Sequence, residues 1–433
     1  ASGEPVNATL SARANALDAA DPLARFRRQF AHPVGPDDRT ALYLCGHSLG
    51  LMPMAARERV QEELDDWARL GVAGHHAARR DWIGYAEQLA PALAALAGAA
   101  DTEVTAMNGL SVNLHLLLAS FYRPEGRRRC IVIEAGAFPS DRHAVASQIQ
   151  WHGLREDDAL IELAPEPGSQ DCDEAQLEEL LETRGEEIAL VLWPGVQYLS
   201  GRAFELSRIA HAARCAGAYC GFDLAHAIGN LPLQLHDDGA DFAVWCSYKY
   251  LNAGPGAIAG AFVHEQHSRQ RLPGLAGWWG HEPATRFAMG PEFVPAAGAA
   301  GWQVSNPPIL SAAPLLASLS IFEAAGIEAL RAKSLQMTSL LLDGLEPFAG
   351  EIELLTPRVG AQRGNQISLR LRAGADAGRR AFAALGRSGV MADWREPDVL
   401  RVAFAPLYNS FGDVAAFCDA LAAALGVPPG RQA

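Results

Sequence analysis

Residues 221–256 read GFDLAHAIGNLPLQLHDDGADFAVWCSYKYLNAGPG, and this stretch decides the fold. An apolar run over residues 218–223 stops on a carboxylate, Asp223, as a buried parallel strand does when it delivers one charged residue to its carboxyl end. A second apolar run, 241–246, leads into Ser247, Tyr248 and Lys249. In an open α/β sheet, ligands lie in the crevice beyond the carboxyl ends of the strands. Neighbouring strands ending in Asp223 and Lys249 therefore aim an acid and an amine at one site.

Pyridoxal phosphate (PLP) needs such a pair. A lysine amine forms its Schiff base, and a carboxylate keeps its pyridine nitrogen protonated so that the ring can act as an electron sink. Lys249 and Asp223 fit these two roles. Taken singly, each also fits a solvated strand end or a surface lysine. Their joint placement, followed by the Gly-rich Asn252 to Gly256 segment and another apolar run at 257–263, favours the cofactor.

Working outward, residues 130–134 and 188–193 read as further buried strands, and residues 204–216 as a helix returning to the Asp223 strand. This strand–helix alternation predicts an α/β domain built on a mostly parallel sheet. Runs at 351–355, 366–371 and 399–404, alternating with helical patterns, predict a smaller α+β C-terminal domain. The expected division is an N-terminal helical arm at 1–40, a large cofactor-binding domain at 41–310 and a small domain at 311–433. Part of the N-terminal segment could pack on the small domain or on a partner subunit.

Three segments offer further site candidates, each with an ordinary structural alternative. Asn108, Gly109, Leu110 and Ser111 precede an apolar helix over 112–121, a turn whose free N–H groups suit a phosphate, although a plain Ser cap explains it equally well. Phe138 and Asp141 follow the 130–134 strand; they can stack on a flat ring and join an acid group, or serve as core and helix cap. His226, three residues after Asp223, can contact the cofactor or be a structural histidine.

The segments FDLAHAIGN, HDDGADFAVWCSYKYLNAGPG and IAGAFVHE resemble kynureninases, PLP enzymes of the aspartate-aminotransferase-like fold (fold type I). Further similar blocks lie at 45–53, 107–118, 138–152, 195–201, 277–309 and 400–413, in family order across most of the chain. The resemblance implies hydrolytic Cβ–Cγ cleavage of L-kynurenine or 3-hydroxy-L-kynurenine to L-alanine plus anthranilate or 3-hydroxyanthranilate, in tryptophan degradation or NAD biosynthesis. It implies Lys249 and Tyr248 as catalytic, with Leu110, Ser111, Phe138, Asp141, Asp223, His226, Trp278 and Asn306 on the cofactor.

For the substrate it implies Arg401, Ser48, His75, Ser305 and Asn306. Arg370 and Arg395 compete with Arg401 by composition, and the match around residues 400–413 decides for Arg401. Trp278 and Asn306 are expected to reach the site from a neighbouring subunit, making the enzyme a homodimer. His47 stands where the family usually has Asn, and Pro194 where some members have a cofactor-contacting Ser, a hydroxyl that Pro cannot supply. A class V aminotransferase, a cysteine desulfurase and a non-catalytic PLP-binding regulator are the rival readings.

At 433 residues, 49% hydrophobic, the chain can build more than one core. A net charge of −14 leaves no basic field to attract nucleic acid or an anionic membrane. The seven cysteines are scattered, without CxxC spacing, as in a reducing compartment. No apolar run reaches the length of a membrane span, and no signal-peptide pattern opens the chain, so a cytoplasmic protein is expected. His75 and His76, in GVAGHHAARRDW at 71–82, are adjacent on a stretch read as irregular and lack an HExxH pattern; no metal site is expected.

Overall fold

The runs Ile131-Val132-Ile133 and Leu190-Val191-Leu192 are apolar at every position, so a strand made of them must be covered on both faces. In the computed structural model, which describes residues 6–268 and 272–427, they lie in a seven-stranded sheet. Its order is Val104–Ala106, Gly260–Val263, Phe242–Trp245, Tyr219–Asp223, Ile188–Pro194, Cys130–Glu134 and Leu160–Leu163. The four pairings from Phe242–Trp245 to Leu160–Leu163 are all parallel. Gly260–Val263 alone runs against its two neighbours.

This sheet belongs to a compact unit formed by residues 56–196 and 204–320. Its helices, Leu110–Phe121 on Pro139–Trp151 and Glu174–Arg184 on Leu206–Cys215, pack in pairs. The strands are sealed: Ile131, Val132, Leu190, Val191, Phe222, Phe242 and Val244 have no exposed surface. Fully burying one such side chain is worth about 1.5–3 kcal/mol, so the sheet is a rigid platform for whatever its strand ends carry.

A second unit comprises residues 1–55, 197–203 and 321–433. Its antiparallel sheet runs Asp393–Arg395, Val399–Ala403, Gln366–Leu371 and Ile352–Leu354. Leu369, Leu400 and Val402 from the sheet meet Met337, Leu341, Phe417 and Leu421 from helices Ile327–Leu345 and Phe411–Leu425 in its core.

The units do not divide at residues 40 and 310. Leu42–Tyr43 pairs with Val390–Met391, and Cys45 bridges Ala403, so the segment after the arm is bonded into the C-terminal half. Residues 197–203 join the same unit, where Ala203 N–H donates to the Gln362 carbonyl. The arm helix, Val6–Ala20, is held within this unit of its own chain. Leu10 and Ala14 enter the core, and the Asp18 carboxylate accepts from the free N–H groups of Phe411 and Gly412 at 2.8 Å each, capping that helix. Among the described residues, no single helix is long and apolar enough to cross a membrane.

Candidate active site

The Tyr219–Asp223 and Phe242–Trp245 strands are parallel neighbours, so Asp223 and the turn after Trp245 leave the sheet at the same end. That turn is closed by its own backbone: Ala253 N–H donates to the Ser247 carbonyl and Asn252 N–H to the Lys249 carbonyl, each at 3.0 Å. Asn252 adopts a left-handed conformation, φ +53°, which Asn tolerates better than most residues. The result presents Lys249 Nζ 3.1 Å from His226 Nε2. On the other side of the Asp223 strand, Gly195 comes so close that a Cβ there would lie 2.7 Å from Leu224, and its N–H donates to the Asp223 carbonyl.

Asp223 is buried, and its Oδ1 accepts from Ala225 N–H at 2.6 Å. Asp141 approaches it from the first turn of the Pro139–Trp151 helix. Burial raises the Asp141 carboxyl well above its ordinary range, and the neighbouring Asp223 carboxylate raises it further. Asp141 is thus held protonated beside the Asp223 carboxylate. Its Oδ1 is buried without a hydrogen-bond partner.

Beside this acid pair Phe138 is 40% exposed, its ring 5.8 Å from Lys249 Nζ. Ser111, on the first turn of Leu110–Phe121, and Ser140, on the first turn of Pro139–Trp151, bring their hydroxyls to 2.7 Å. Neither helix has a side-chain cap, so two positive helix ends with free N–H groups converge. Tyr248 is half-buried, and burial pushes its hydroxyl well up, so it keeps its proton at neutral pH. An amine, an acid pair, a flat exposed ring and an anion cradle between two uncapped helix N-termini fit PLP group by group.

The lysine count sharpens the assignment. The sequence holds two lysines, Lys249 and Lys333. Lys333 is buried in the other unit, 2.8 Å from the Asp21 carboxylate and 2.8 Å from the Pro406 carbonyl. Lys249 is the one left to react.

Arg401 lies in that other unit, on the Val399–Ala403 strand and 1% exposed. Its cross-strand partner is Asp393, whose Oδ2 accepts from Arg401 Nε at 2.6 Å; a second nitrogen donates to the Tyr198 carbonyl. Burial pushes the Asp393 carboxyl up, but His47, Arg401 and Arg395 together hold it far below the carboxylate range. His47 is fully buried with Nε2 3.7 Å from Asp393 Oδ2, so the departure from Asn adds a ring facing that acid. Ser48 follows in a turn, its N–H donating to the Cys45 carbonyl.

The other expected residues stand in loops. The 71–82 segment is more regular than its sequence suggests, with helical turns at Gly71–Ala73 and Gly74–Ala77. They turn His75 inward onto Trp82, ring centroids 5.5 Å apart, and leave His76 exposed. Trp278 is 43% exposed, its indole N–H donating to the Arg286 carbonyl, and Ser305 and Asn306 are exposed. Ser140 and Asp393 are functional candidates that the sequence reading missed. An acid directly opposite Arg401 on the adjacent strand becomes visible only through the antiparallel register.

Among the described residues one histidine–carboxylate group is compact enough to suggest an ion, Glu103 with His236 and His264. Their rings are stacked, 4.8 Å apart and 12° from parallel, and parallel rings cannot both aim an in-plane lone pair at one ion. Glu103 instead accepts from His236 Nδ1 and from the N–H groups of Ala100 and Glu265, a hydrogen-bonded clasp.

Residues 330–421 match the kynureninase C-terminal domain. The kynureninase of Xanthomonas axonopodis pv. citri (strain 306) is 53% identical over 410 residues, 94% of this chain and 96% of its own. That of Xanthomonas campestris pv. campestris (strain B100) is 53% identical over 403 residues, 93% and 95% of the two chains. Similar solved structures include the apo cysteine desulfurase of Thermococcus onnurineus NA1, TM-score 0.74 at 17% identity, over 92% of this chain and 96% of that one. Another is the cysteine desulfurase CsdA of Escherichia coli, TM-score 0.75 at 19% identity, over 94% and 98%. These two speak for the fold alone, the expected α/β unit with a smaller α+β unit. On sequence identity over nearly its whole length, the chain belongs to the kynureninase family.

Proposed function

We propose that this protein is a PLP-dependent kynureninase that hydrolyses the Cβ–Cγ bond of L-kynurenine, 3-hydroxy-L-kynurenine or both, releasing L-alanine and the aromatic acid. The observation that carries it is the delivery of Asp223 and Lys249 by adjacent parallel strands to one sheet end, where Asp141 completes an acid pair. When bound, PLP supplies the electron sink for the pairs released at the substrate's Cα and Cβ.

Asp223 would pair with the pyridine nitrogen, and the protonated Asp141 steadies it by donating a hydrogen bond. Ser111, with Ser140 and the two helix N-termini at the Leu110 turn, would hold the phosphate, and Phe138 would cover the ring. Lys249 would hold the cofactor and is placed to take the substrate's Cα proton; His226, 3.1 Å away, orients the amine. Tyr248, kept protonated by burial, returns a proton to Cβ after cleavage. Arg401, held flat by Asp393, receives the substrate carboxylate as a two-pronged partner.

Ser48, His75 and Ser305 contact the substrate, and Trp278 and Asn306 complete the site of a second copy, which makes the working form a homodimer. Exposure of Trp278, Ser305 and Asn306 in the single chain supports this. Seven free cysteines support a cytoplasmic setting. Against a desulfurase, the exposed cysteine, Cys215, ends the helix that leads into the amino end of the Asp223 strand, opposite the site.

The test is an absorbance scan for bound cofactor together with a fluorescence assay of anthranilate release, on wild type and Lys249→Ala. The variant is expected to lose the protein-bound absorbance band and to slow release roughly 10³-fold or more. Retention of both signals would overturn the assignment, and formation of a quinoline acid in place of anthranilate would favour an aminotransferase.

A further inference from the structure

The Met54–Leu70 helix is built inside out. Its buried residues are Ala56, Glu63 and Asp66, while Trp67 on the same helix is 60% exposed. Burying two carboxylates costs more than burying aliphatic side chains of similar size, so such a face is a poor choice for stability alone. Every partner that offsets the Glu63 burial comes from the segment that follows His75. Glu63 Oε1 accepts from Arg80 Nε at 2.7 Å and from the Tyr85 hydroxyl at 3.1 Å, and Oε2 accepts from Trp82 Nε1 at 3.0 Å. Asp66 takes the Arg79 backbone N–H at 2.7 Å.

The Trp82 ring, so fixed, packs edge-on against His75, with ring planes at 85°. It also fills the space a side chain on residue 74 would need: a Cβ on Gly74 would lie 2.4 Å from the ring. His75 therefore has one wall whose position is set by hydrogen bonds rather than by greasy contact, which would let the ring slide. A carboxylate with three convergent donors fixes both the distance and the tilt of that wall.

We propose that Glu63 is a positioning residue for substrate discrimination: through Trp82 it holds His75 at the angle needed to meet a hydroxyl on the substrate's aromatic ring. This rests on the proposed contact of His75 with the substrate and places that contact at the aromatic ring. The chemistry at Cα and Cβ is untouched by the device. Its loss should therefore appear in KM for the hydroxylated substrate and leave kcat alone.

The experiment compares kcat and KM for kynurenine and 3-hydroxykynurenine in the holoenzyme and in three variants, His75→Gln, Trp82→Phe and Glu63→Gln. Cofactor absorbance serves as the check that each variant is folded and loaded. Trp82→Phe keeps a ring but removes the donor to Glu63, so it tests the idea even where Glu63→Gln folds poorly. Trp82→Phe and Glu63→Gln are each expected to lower the selectivity for the hydroxylated substrate about five- to tenfold through its KM, with kcat within about twofold of wild type. His75→Gln is expected to lower selectivity at least as far. Should His75→Gln lower it while Trp82→Phe and Glu63→Gln retain wild-type selectivity, the positioning role is wrong and the His75 reading stands. Should His75→Gln leave selectivity unchanged, the His75 reading itself fails and the positioning role with it.

Discussion

Two carboxyl groups in this chain, one buried and one half-buried, are held in opposite states. Asp141 faces another carboxylate, Asp223, and is driven to keep its proton. Asp393 faces Arg401, Arg395 and His47 and is driven to lose it. Burial pushes both upward, so burial does not distinguish them; the sign of the nearest charge does. The consequence is chemical. A neutral acid next to a carboxylate donates a hydrogen bond and leaves one negative charge for the role proposed for Asp223, partner to a pyridinium nitrogen. An ionised acid beside a guanidinium accepts its hydrogen bonds and fixes the cationic fork proposed to receive a substrate carboxylate.

The contrast can be broken by one substitution at each site. Asp393→Asn should have the larger effect, because it leaves the Arg401 guanidinium buried without its counter-charge. Breaking such a pair costs about 3–5 kcal/mol in stability. Substrate KM should rise roughly tenfold or more as the fork loosens. Equilibrium urea unfolding and steady-state kinetics check both figures. Asp141→Asn replaces a neutral acid by a neutral amide of the same shape, so below about pH 4, where Asp141 is protonated folded and unfolded, stability should change by no more than about 1 kcal/mol. Cofactor affinity, measured by titration of the apoenzyme, should weaken far less in Asp141→Asn than in Asp223→Asn.

The pH dependence sharpens the same comparison. Asp393 has a folded pKa below its unfolded value of about 3.9, so its contribution is present above that pH and fades as the pH falls through the folded value. The deficit of Asp393→Asn against wild type should therefore be flat from neutral pH down to about 4 and shrink below it. Asp141 has the reverse sign. Its folded pKa is raised, so its contribution is full below about 3.9 and declines as the pH rises toward the folded value. Asp141→Asn should thus gain on wild type as pH rises from about 4. Parallel slopes for the two variants would mean that the two acids do not differ as described.

The smallest effect concerns the arm. Lys333 and Asp21, 6% and 3% exposed, tie the N-terminal segment to the Ile327–Leu345 helix. Replacing both together, Lys333→Met with Asp21→Leu, should be close to neutral in urea unfolding, because a buried ion pair gives back little more than its desolvation cost. Lys333→Met alone should destabilise by about 3 kcal/mol or more, since it strands the Asp21 charge.

Much of the large unit was legible from its residues. Cys130–Glu134 begins where its apolar run does and ends on the first charge after it, because a strand covered on both faces leaves no place for a charge within it. Asp223 and Lys249 announce themselves by ending such runs. The lysine count is equally plain in the sequence, but that Lys333 is already engaged by Asp21 and Pro406 requires the fold. Contacts between distant segments were not legible. The Ser111–Ser140 pair depends on two helix N-termini meeting, and Asp393 opposite Arg401 depends on strand register. Residues 197–203 carry no periodic signal that would assign them to the C-terminal half, since backbone hydrogen bonds such as Ala203 to Gln362 place them there.

The central claim is that Lys249 carries the cofactor, and the two-lysine composition makes it directly testable. Borohydride reduction of the holoenzyme followed by proteolysis and mass spectrometry should find the phosphopyridoxyl group on the peptide containing Lys249 and none on Lys333. A label on Lys333, or reduced holoenzyme with neither lysine labelled, would contradict the account.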